Sequence, residues 1–555
     1  MEKRGEQIAL VQGERRVSYR ELNGRANRLA HFLRSRGVAR EGRVGIYMQR
    51  SIEQVSAILG VLKCGGAYVP LDPAYPEERL RYMIEAARLS TVLTTGASFR
   101  FDPPGRKITW IDATKISNSP GFDGNIGVDV HPQDAAYVIF TSGSTGMPNG
   151  VVGTHRGAIN RFTWMWEQYP FAAGEVSALK TACNFVDSVW EIFGPLLQGI
   201  PSVILDDETV KDPPALVKAL ARARVTRLVL VPSLLRALLE NEQQLAQYLP
   251  DIKYWTSSGE ALSAELVRRF REQLPARTLL NLYGSSEASA DSTAIDTAGV
   301  SLSINIPIGR PIYNTQAYLL DRSMQPVPIG IPGEIYLGGA GLAREYLFQP
   351  ELTAIRFVPN PFATSPGTRL YRTGDIGRYA PDGTIQYVGR VDRQIKLRGI
   401  RIDLNEIEKV LGQHPALQHA VVMLVKNHPP IGDRLAAFVV SDQHPRPKEG
   451  ELRRFLKERL PEYMVPGVYV RMEEMPLTAN GKINRGALPV GEMAKRLEQE
   501  RYGEWRSPVE ELLGQIWEEV LGVDEVGGED DFFARGGHSL LATQVIARIR
   551  KNLGV

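Results

Sequence analysis

Apolar and polar positions alternate along the first 390 residues in two rhythms. Residues 20–36 repeat apolar side chains at helical spacing, and the short apolar run 44–48 that follows predicts a strand. Residues 52–62 predict a second helix and residues 67–71 a second strand. Continued over residues 1–391, this alternation predicts a layered α/β core with mainly parallel strands. The character changes near Val391. Residues 393–401 carry four basic side chains, a helix start follows at Asp403, and residues 420–425 and 435–440 have strand patterns. Residues 392–489 are therefore expected to form a small α+β subdomain. Residues 490–505 are highly charged and read as a surface helix or linker. From Ser507 an amphipathic helix places Val509, Leu512, Leu513, Ile516 and Val520 on one side. A loop rich in Gly and Asp comes next, and Ser539 opens another apolar helix, so residues 506–555 are expected to form a third, helical unit.

Composition narrows the function classes. The chain has 555 residues, a net charge of +3 and a hydrophobic fraction of 43%. Its mean hydropathy is −0.19. No run of about 18 apolar residues occurs, so no spanning helix is expected. The charged start lacks the apolar stretch of a secretory signal. Cys64 and Cys183 are the only cysteines, which argues against a disulfide framework and for core positions in a cytoplasmic protein. The balanced charge gives no reason to invoke nucleic acid or a membrane partner.

One loop stands out as built for phosphates. Thr141-Ser-Gly-Ser-Thr-Gly-Met-Pro-Asn-Gly150 follows the apolar run 135–140. Its hydroxyls and glycine-permitted backbone turn donors towards an anion, and its spacing is not that of the Walker loop. It resembles the phosphate loop of the adenylate-forming superfamily, which holds acyl-CoA synthetases, luciferases and the adenylation domains of nonribosomal peptide synthetases. The resemblance extends along the chain through Leu62-Lys-Cys-Gly-Gly-Ala-Tyr-Val-Pro-Leu-Asp72, Asn281-Leu-Tyr-Gly-Ser-Ser-Glu287, Tyr371-Arg-Thr-Gly-Asp375, Gly389-Arg-Val-Asp-Arg-Gln-Ile-Lys-Leu-Arg-Gly399 and Asn480-Gly-Lys-Ile-Asn-Arg485. One position departs: Asn149 stands where the family usually has lysine, which removes a cation facing the phosphates.

The resemblance implies roles. Thr141, Ser142, Gly143, Ser144, Thr145 and Gly146 would cradle the ATP phosphates. Tyr283 would stack on adenine, Asp375 would accept from the ribose hydroxyls, and Arg390 would lie near ribose or phosphate. Glu287 and Thr145 would hold Mg²⁺, a hard cation that takes oxygen ligands. Lys482 would stabilise charge as a carboxylate attacks the α-phosphate. Asp392 would be the hinge about which the small subdomain turns, withdrawing Lys482 and presenting residues 396–399 for thiol transfer.

Asp530-Asp-Phe-Phe-Ala-Arg-Gly-Gly-His-Ser539-Leu-Leu resembles the attachment motif of a peptidyl carrier domain. Ser539, at a helix start after Gly-Gly, would carry 4'-phosphopantetheine. A phosphopantetheinyl transferase and neighbouring synthetase domains such as condensation are then implied partners, together with a helper protein of the small adenylation-partner type.

The acyl pocket implied by the resemblance is Phe185, Val186, Asp187, Trp190, Val229, Thr256, Ser258, Leu282, Ala290 and Asp291, with Lys482. Valine stands where an α-amino-acid domain places its ammonium-binding aspartate, and the set resembles that of β-alanine domains. Val186 offers an α-ammonium no partner, and leaving a charge unpaired costs about 2–5 kcal/mol. One methylene is worth only about 1–3 kcal/mol. Asp187 and Asp291 are therefore expected to receive an ammonium one carbon further along, in a pocket that Trp190 and Leu282 keep short. Other small amino acids, a CoA-dependent synthetase and a non-catalytic nucleotide-binding scaffold are the alternatives.

Overall fold

In a computed structural model the chain is described over residues 4–96, 101–102, 105, 107–143, 147–242, 244–302, 306–425, 433–441, 446–476, 483–489, 507–521, 526–528, 532, 541–542, 545–546 and 548–549. The large α/β core is built on two mainly parallel sheets. The six-stranded sheet runs Thr109–Asp112, Thr91–Thr94, Arg43–Tyr47, Ala67–Leu71, Ala135–Thr141, Asn149–Thr154. Every neighbouring pair in it is parallel except the last. In the nine-stranded sheet, Tyr254–Ser257 pairs in parallel with both Arg227–Leu230 and Thr278–Ser285. The expected strand 44–48 and helix 52–62 appear as Arg43–Tyr47 and Ile52–Lys63.

Local chemistry sets the helix starts. Ser18 caps Tyr19–Ser35 by accepting from the Glu21 amide at 3.2 Å, and Ser51 caps Ile52–Lys63 by accepting from Gln54 at 3.1 Å. Both cysteines are buried and free of any disulfide. The parallel strands need long crossovers, which these helices supply. They leave the loop ends of the strands free to carry chemistry.

A five-stranded antiparallel sheet follows, with Arg369–Tyr379 between Gly333–Gly339, Phe357–Pro359 and Ile385–Arg390. The four basic residues of 393–401 lie on and beside two paired strands, Gln394–Leu397 and Ile400–Asp403. Asp403 caps Leu404–Leu411 by accepting from the Asn405 amide at 3.0 Å. The small subdomain is completed by His419–Val425, Arg434–Val440 and Val468–Met472 in one sheet. Its helix Leu404–Leu411 and its strands share one apolar cluster, in which Ile407, Leu411 and Val422 are fully buried.

In the C-terminal region, Pro508–Leu521 is helical, and Ile516, Val520 and Leu521 pack with Phe532, Leu541 and Val545. Val509, expected on the apolar side, is 51% exposed and is corrected to a surface position. It lies in the first turn, one turn short of the packed stretch. The charged stretch 490–505 lies outside the described residues. No described helix is long and apolar enough to cross a membrane.

Candidate active site

The main cleft lies where the large core meets the hairpin of the small subdomain. Thr141, Ser142, Phe185, Val186, Asp187, Ser258, Ala290, Asp291, Asp375 and Arg390 line it from the core side, and Lys396, Gly399 and Arg401 from the hairpin side. Ten of the residues expected from sequence thus line one cleft.

Thr141 ends a strand and pairs across it with Asn149. Gly143 must be glycine: a Cβ there would stand 2.3 Å from the Met147 carbonyl and 2.6 Å from Asn149 Nδ2. Asn149 is thus a buried neighbour of the loop. Ser142 Oγ donates to the Arg401 carbonyl at 2.6 Å, so the loop touches the small subdomain. Ser144, Thr145 and Gly146 lie outside the described residues, as do Lys482 and Ser539.

Asp375 is buried and doubly held. The Tyr283 hydroxyl donates to its Oδ2 at 2.7 Å, and Arg390 Nη1 donates to its Oδ1 at 2.5 Å. The same guanidinium forks onto Asp392, with Nε to Oδ1 at 2.7 Å and Nη2 to Oδ2 at 2.8 Å. The aspartate expected to face the ribose and the expected hinge therefore share one cation. Burial would lift the Asp392 carboxyl, but Arg390 holds it below its ordinary range. Tyr283 presents its ring to Lys396, whose Nζ lies 5.6 Å from the ring centroid. Burial lowers the Lys396 ammonium, and Asp375 opposes that shift.

Glu287 sits on a short 3₁₀ turn after the strand Thr278–Ser285. Its carboxylate accepts from the Tyr346 hydroxyl at 2.8 Å and from Arg401 Nη1 at 2.9 and 3.1 Å. Burial pushes this carboxyl up, yet Arg401 and Tyr346 outweigh burial and hold it at about 2. An ionised, oxygen-only donor of this kind fits a hard divalent cation. In this orientation the positive charge beside it is Arg401.

The end of the cleft expected to take the acyl group is formed by two short segments. Val186 precedes the helix Asp187–Leu196, which puts the Asp187 carboxylate in the first turn, where the helix dipole favours a negative charge. Ser258 Oγ donates to Asp187 Oδ2 at 3.3 Å. The second segment reaches Asp291 through Ser289 and Ala290, at φ 55° and 77°, both strained for non-glycine residues. A register shift between Tyr283 and Gly284 lets Gly284 face Asp291 across the sheet. Trp190, Val229 and Thr256, expected in the same pocket, do not line this cleft but a separate, smaller cavity, with Met165 and Tyr254. Leu282 is buried in the same apolar cluster as Val229 and Trp190.

Asp291 lines the cleft as expected, but it arrives already paired. Arg161 Nε donates to its Oδ2 at 2.6 Å, and the two side chains are 3% and 2% exposed. Burial pushes the Asp291 carboxyl up to about 6; Arg161 pulls it down and Asp187 pushes it up. Asp187, by contrast, makes no ion pair among the described residues.

Sequence reasoning missed several residues that the fold brings in. Arg161 is one; its signal was a charged side chain on the buried face of the helix His155–Gln168, between Asn160 and Phe162. Glu260 is another: it accepts from the Gly399 amide at 2.6 Å and the Ser233 amide at 2.9 Å. Arg79 and Glu406, both buried, bridge core and subdomain at 2.7 Å. These pairings join distant stretches of chain and leave no local pattern.

Comparison with known proteins agrees with this geometry. Residues 1–347 match the family described as AMP-binding enzyme. Residues 406–482 match the AMP-binding enzyme C-terminal domain, and residues 511–555 match the phosphopantetheine attachment site. A linear gramicidin synthase of Brevibacillus parabrevis is 44% identical over 557 residues, covering 100% of this chain and 7% of that protein. A dimodular nonribosomal peptide synthase of Bacillus subtilis is 40% identical over 99% of this chain and 23% of its own length. The chain thus spans a small part of the curated relatives it matches. Among solved structures, a holo NRPS protein containing adenylation and PCP domains, bound to a vinylsulfonamide inhibitor, aligns with a TM-score of 0.82 and 26% identity. That alignment covers 100% of this chain and 91% of that one. A holo four-domain nonribosomal peptide synthetase bound to AMP and glycine aligns at 0.63 with 32% identity, over 100% of this chain and 40% of that one.

Proposed function

Because this chain belongs to the AMP-binding enzymes, in the adenylation-and-carrier arrangement of the nonribosomal peptide synthetases, we propose that it activates β-alanine with ATP and loads it onto Ser539. The chain is an amino-acid-adenylating ligase of that class; the proposal concerns which acid it takes. The observation that carries it is the placement of charge at the acyl end. Val186 has no group for an α-ammonium. Asp187, held by Ser258 and one residue deeper, is the carboxylate without an ion-pair partner among the described residues. An ammonium one carbon beyond the α-position meets it, while an α-ammonium would face valine.

The chemistry then runs in two steps. A substrate carboxylate oxygen attacks the α-phosphorus, the bond to the bridging oxygen breaks, and pyrophosphate leaves. Lys482 offsets the repulsion between the two anions. Asp375 accepts from the ribose hydroxyls, and Tyr283 offers a face for adenine. Glu287, kept ionised, would hold Mg²⁺, which would supply positive charge beside the phosphates, in an orientation where Arg401 has moved away with the small subdomain. In the second step the acyl carbon accepts a thiol sulfur, AMP leaves, and the thiol proton is lost. The phosphopantetheine arm supplies that thiol when attached to Ser539. The hairpin that carries Lys396 and Arg401 into the cleft supports reading this orientation as the one for thiol transfer.

Neighbouring synthetase domains such as condensation, a phosphopantetheinyl transferase and a small helper protein complete the proposed setting. ATP–pyrophosphate exchange across β-alanine, L-alanine, glycine, 3-aminobutyrate and 4-aminobutyrate tests the substrate. A strong preference for β-alanine is expected. Preference for L-alanine or glycine would overturn the assignment of Val186 and Asp187 while leaving the enzyme class intact.

A further inference from the structure

The buried pair Arg161–Asp291 lies directly behind the acyl end of the cleft, and this inference rests on that end being the substrate pocket. Arg161 is held from two sides. Its Nε and Nη2 both point at Asp291 Oδ2. Its guanidinium carbon stands 4.6 Å from the Trp190 ring centroid. The Trp190 ring in turn lies nearly parallel to Phe171, at 14°. Neither Nη1 nor Nη2 makes a hydrogen bond among the described residues, so the cation is fixed by the carboxylate, through Nε and the ion pair, and by the ring. The backbone before Asp291 is strained to bring that carboxylate here.

Among the core's own side chains at this end, the carboxylates of Asp187 and Asp291 and the Arg161 guanidinium leave one net negative charge, and its place is Asp187; Lys396, whose ammonium Asp187 also favours, enters the cleft from the small subdomain's hairpin. We infer that Arg161 is a specificity-determining positioning residue: by neutralising Asp291 it sets the pocket to accept one substrate ammonium and to reject a second. The discrimination this provides is between monoamino and diamino acids of the same length. The sharpest pair is β-alanine against 2,3-diaminopropionate, which adds an α-ammonium to the same skeleton. Without Arg161 the second carboxylate would be open to that extra charge, and the diamino acid would gain.

A charge cycle tests this in the full chain, read as amino-acid-dependent pyrophosphate exchange with the KM for ATP as internal control. In R161M the ratio of kcat/KM for 2,3-diaminopropionate to that for β-alanine is expected to rise at least about 30-fold, the size expected for a buried charge pair. D291N leaves Arg161 unneutralised, so the KM for β-alanine is expected to rise at least about 30-fold while the KM for ATP stays put. The double variant R161M/D291N restores one net charge and is expected to return both quantities towards the parent values. R161K, which keeps the charge, is expected to keep the parent ratio.

If R161M folds poorly, D291N and the double variant still decide the matter, because a purely packing role for Arg161 predicts no amino-acid-specific loss in D291N and no recovery in the double. An unchanged ratio in folded R161M, or a double variant no better than D291N, would overturn the inference. D187N separates this from failure of the pocket itself. Loss of β-alanine exchange in D187N with a flat Arg161 cycle refutes only the role of Arg161, whereas full activity in D187N refutes the pocket on which it rests.

Discussion

Arg401 donates from Nη1 to both carboxylate oxygens of Glu287, at 2.9 and 3.1 Å, and joins the small subdomain to the core. Under the proposed mechanism a divalent ion would take the place of this guanidinium when the small subdomain turns, which would couple domain position to the state of the cleft.

Replacing Arg401 by alanine is expected to slow carrier loading about 100-fold and to leave pyrophosphate exchange within about threefold. Breaking a buried pair costs about 3–5 kcal/mol, and here that cost falls on one orientation only. Single-turnover loading of radiolabelled amino acid, set beside exchange, measures the split. Equal loss in both assays would contradict it.

Acid should undo the same contact. Glu287 is held at about 2, below its ordinary 4.5, so its carboxylate stabilises the docked fold fully above pH 4.5. Protonation on the way from pH 4.5 down to 2 removes that stabilisation, roughly 3 kcal/mol from the size of the shift. Urea unfolding at pH 7 and pH 3 should show a larger loss in the parent than in E287Q. An equal loss in the two proteins would refute this account.

Asp392 receives the bidentate fork of Arg390, and its backbone joins the two subdomains. Proline at 392 restricts φ there and is expected to block thioester formation while sparing exchange. D392N is expected to support both steps, since its backbone stays free. Parallel loss of both activities in D392P would count against a hinge at this residue.

Asn149 stands where a phosphate-facing lysine is usual, and it is buried against Gly143. N149K is expected to lower the KM for ATP about tenfold, the worth of one charged hydrogen bond of about 1.5 kcal/mol. Initial-rate exchange at varied ATP measures it. A KM that is unchanged or raised would show that the strand position cannot present a cation to the phosphates.

Much of the core was legible because its signals are local. Ala67–Leu71 reads as a strand from its apolar run, and Asp403 reads as a helix start from the residues that follow it. Asp375, Tyr283 and Glu287 stood in contiguous motifs; Asp375 lines the cleft, Tyr283 is bonded to it, and Glu287 is bonded to Arg401 on the cleft's hairpin side. The pairings were not legible. Arg161 meets Asp291 across 130 residues and Arg79 meets Glu406 across 327, so charge complementarity appears only once the sheets are assembled. Val509 was misplaced for the opposite reason: its periodicity was right, but the helix extends past the surface it packs on.

The turn at Gly399 carries a consequence for recombining such enzymes. Its amide is bound by Glu260, its φ is +76°, and a Cβ there would stand 2.2 Å from Val231 Cγ1. A graft border drawn after residue 391 would part Glu260 from Gly399, Arg79 from Glu406 and Glu287 from Arg401 in a single cut. Parents for such hybrids are therefore better chosen by whether their two sides share these three couples than by overall identity, since a mismatched donor would keep a sound acyl pocket and lose the handover.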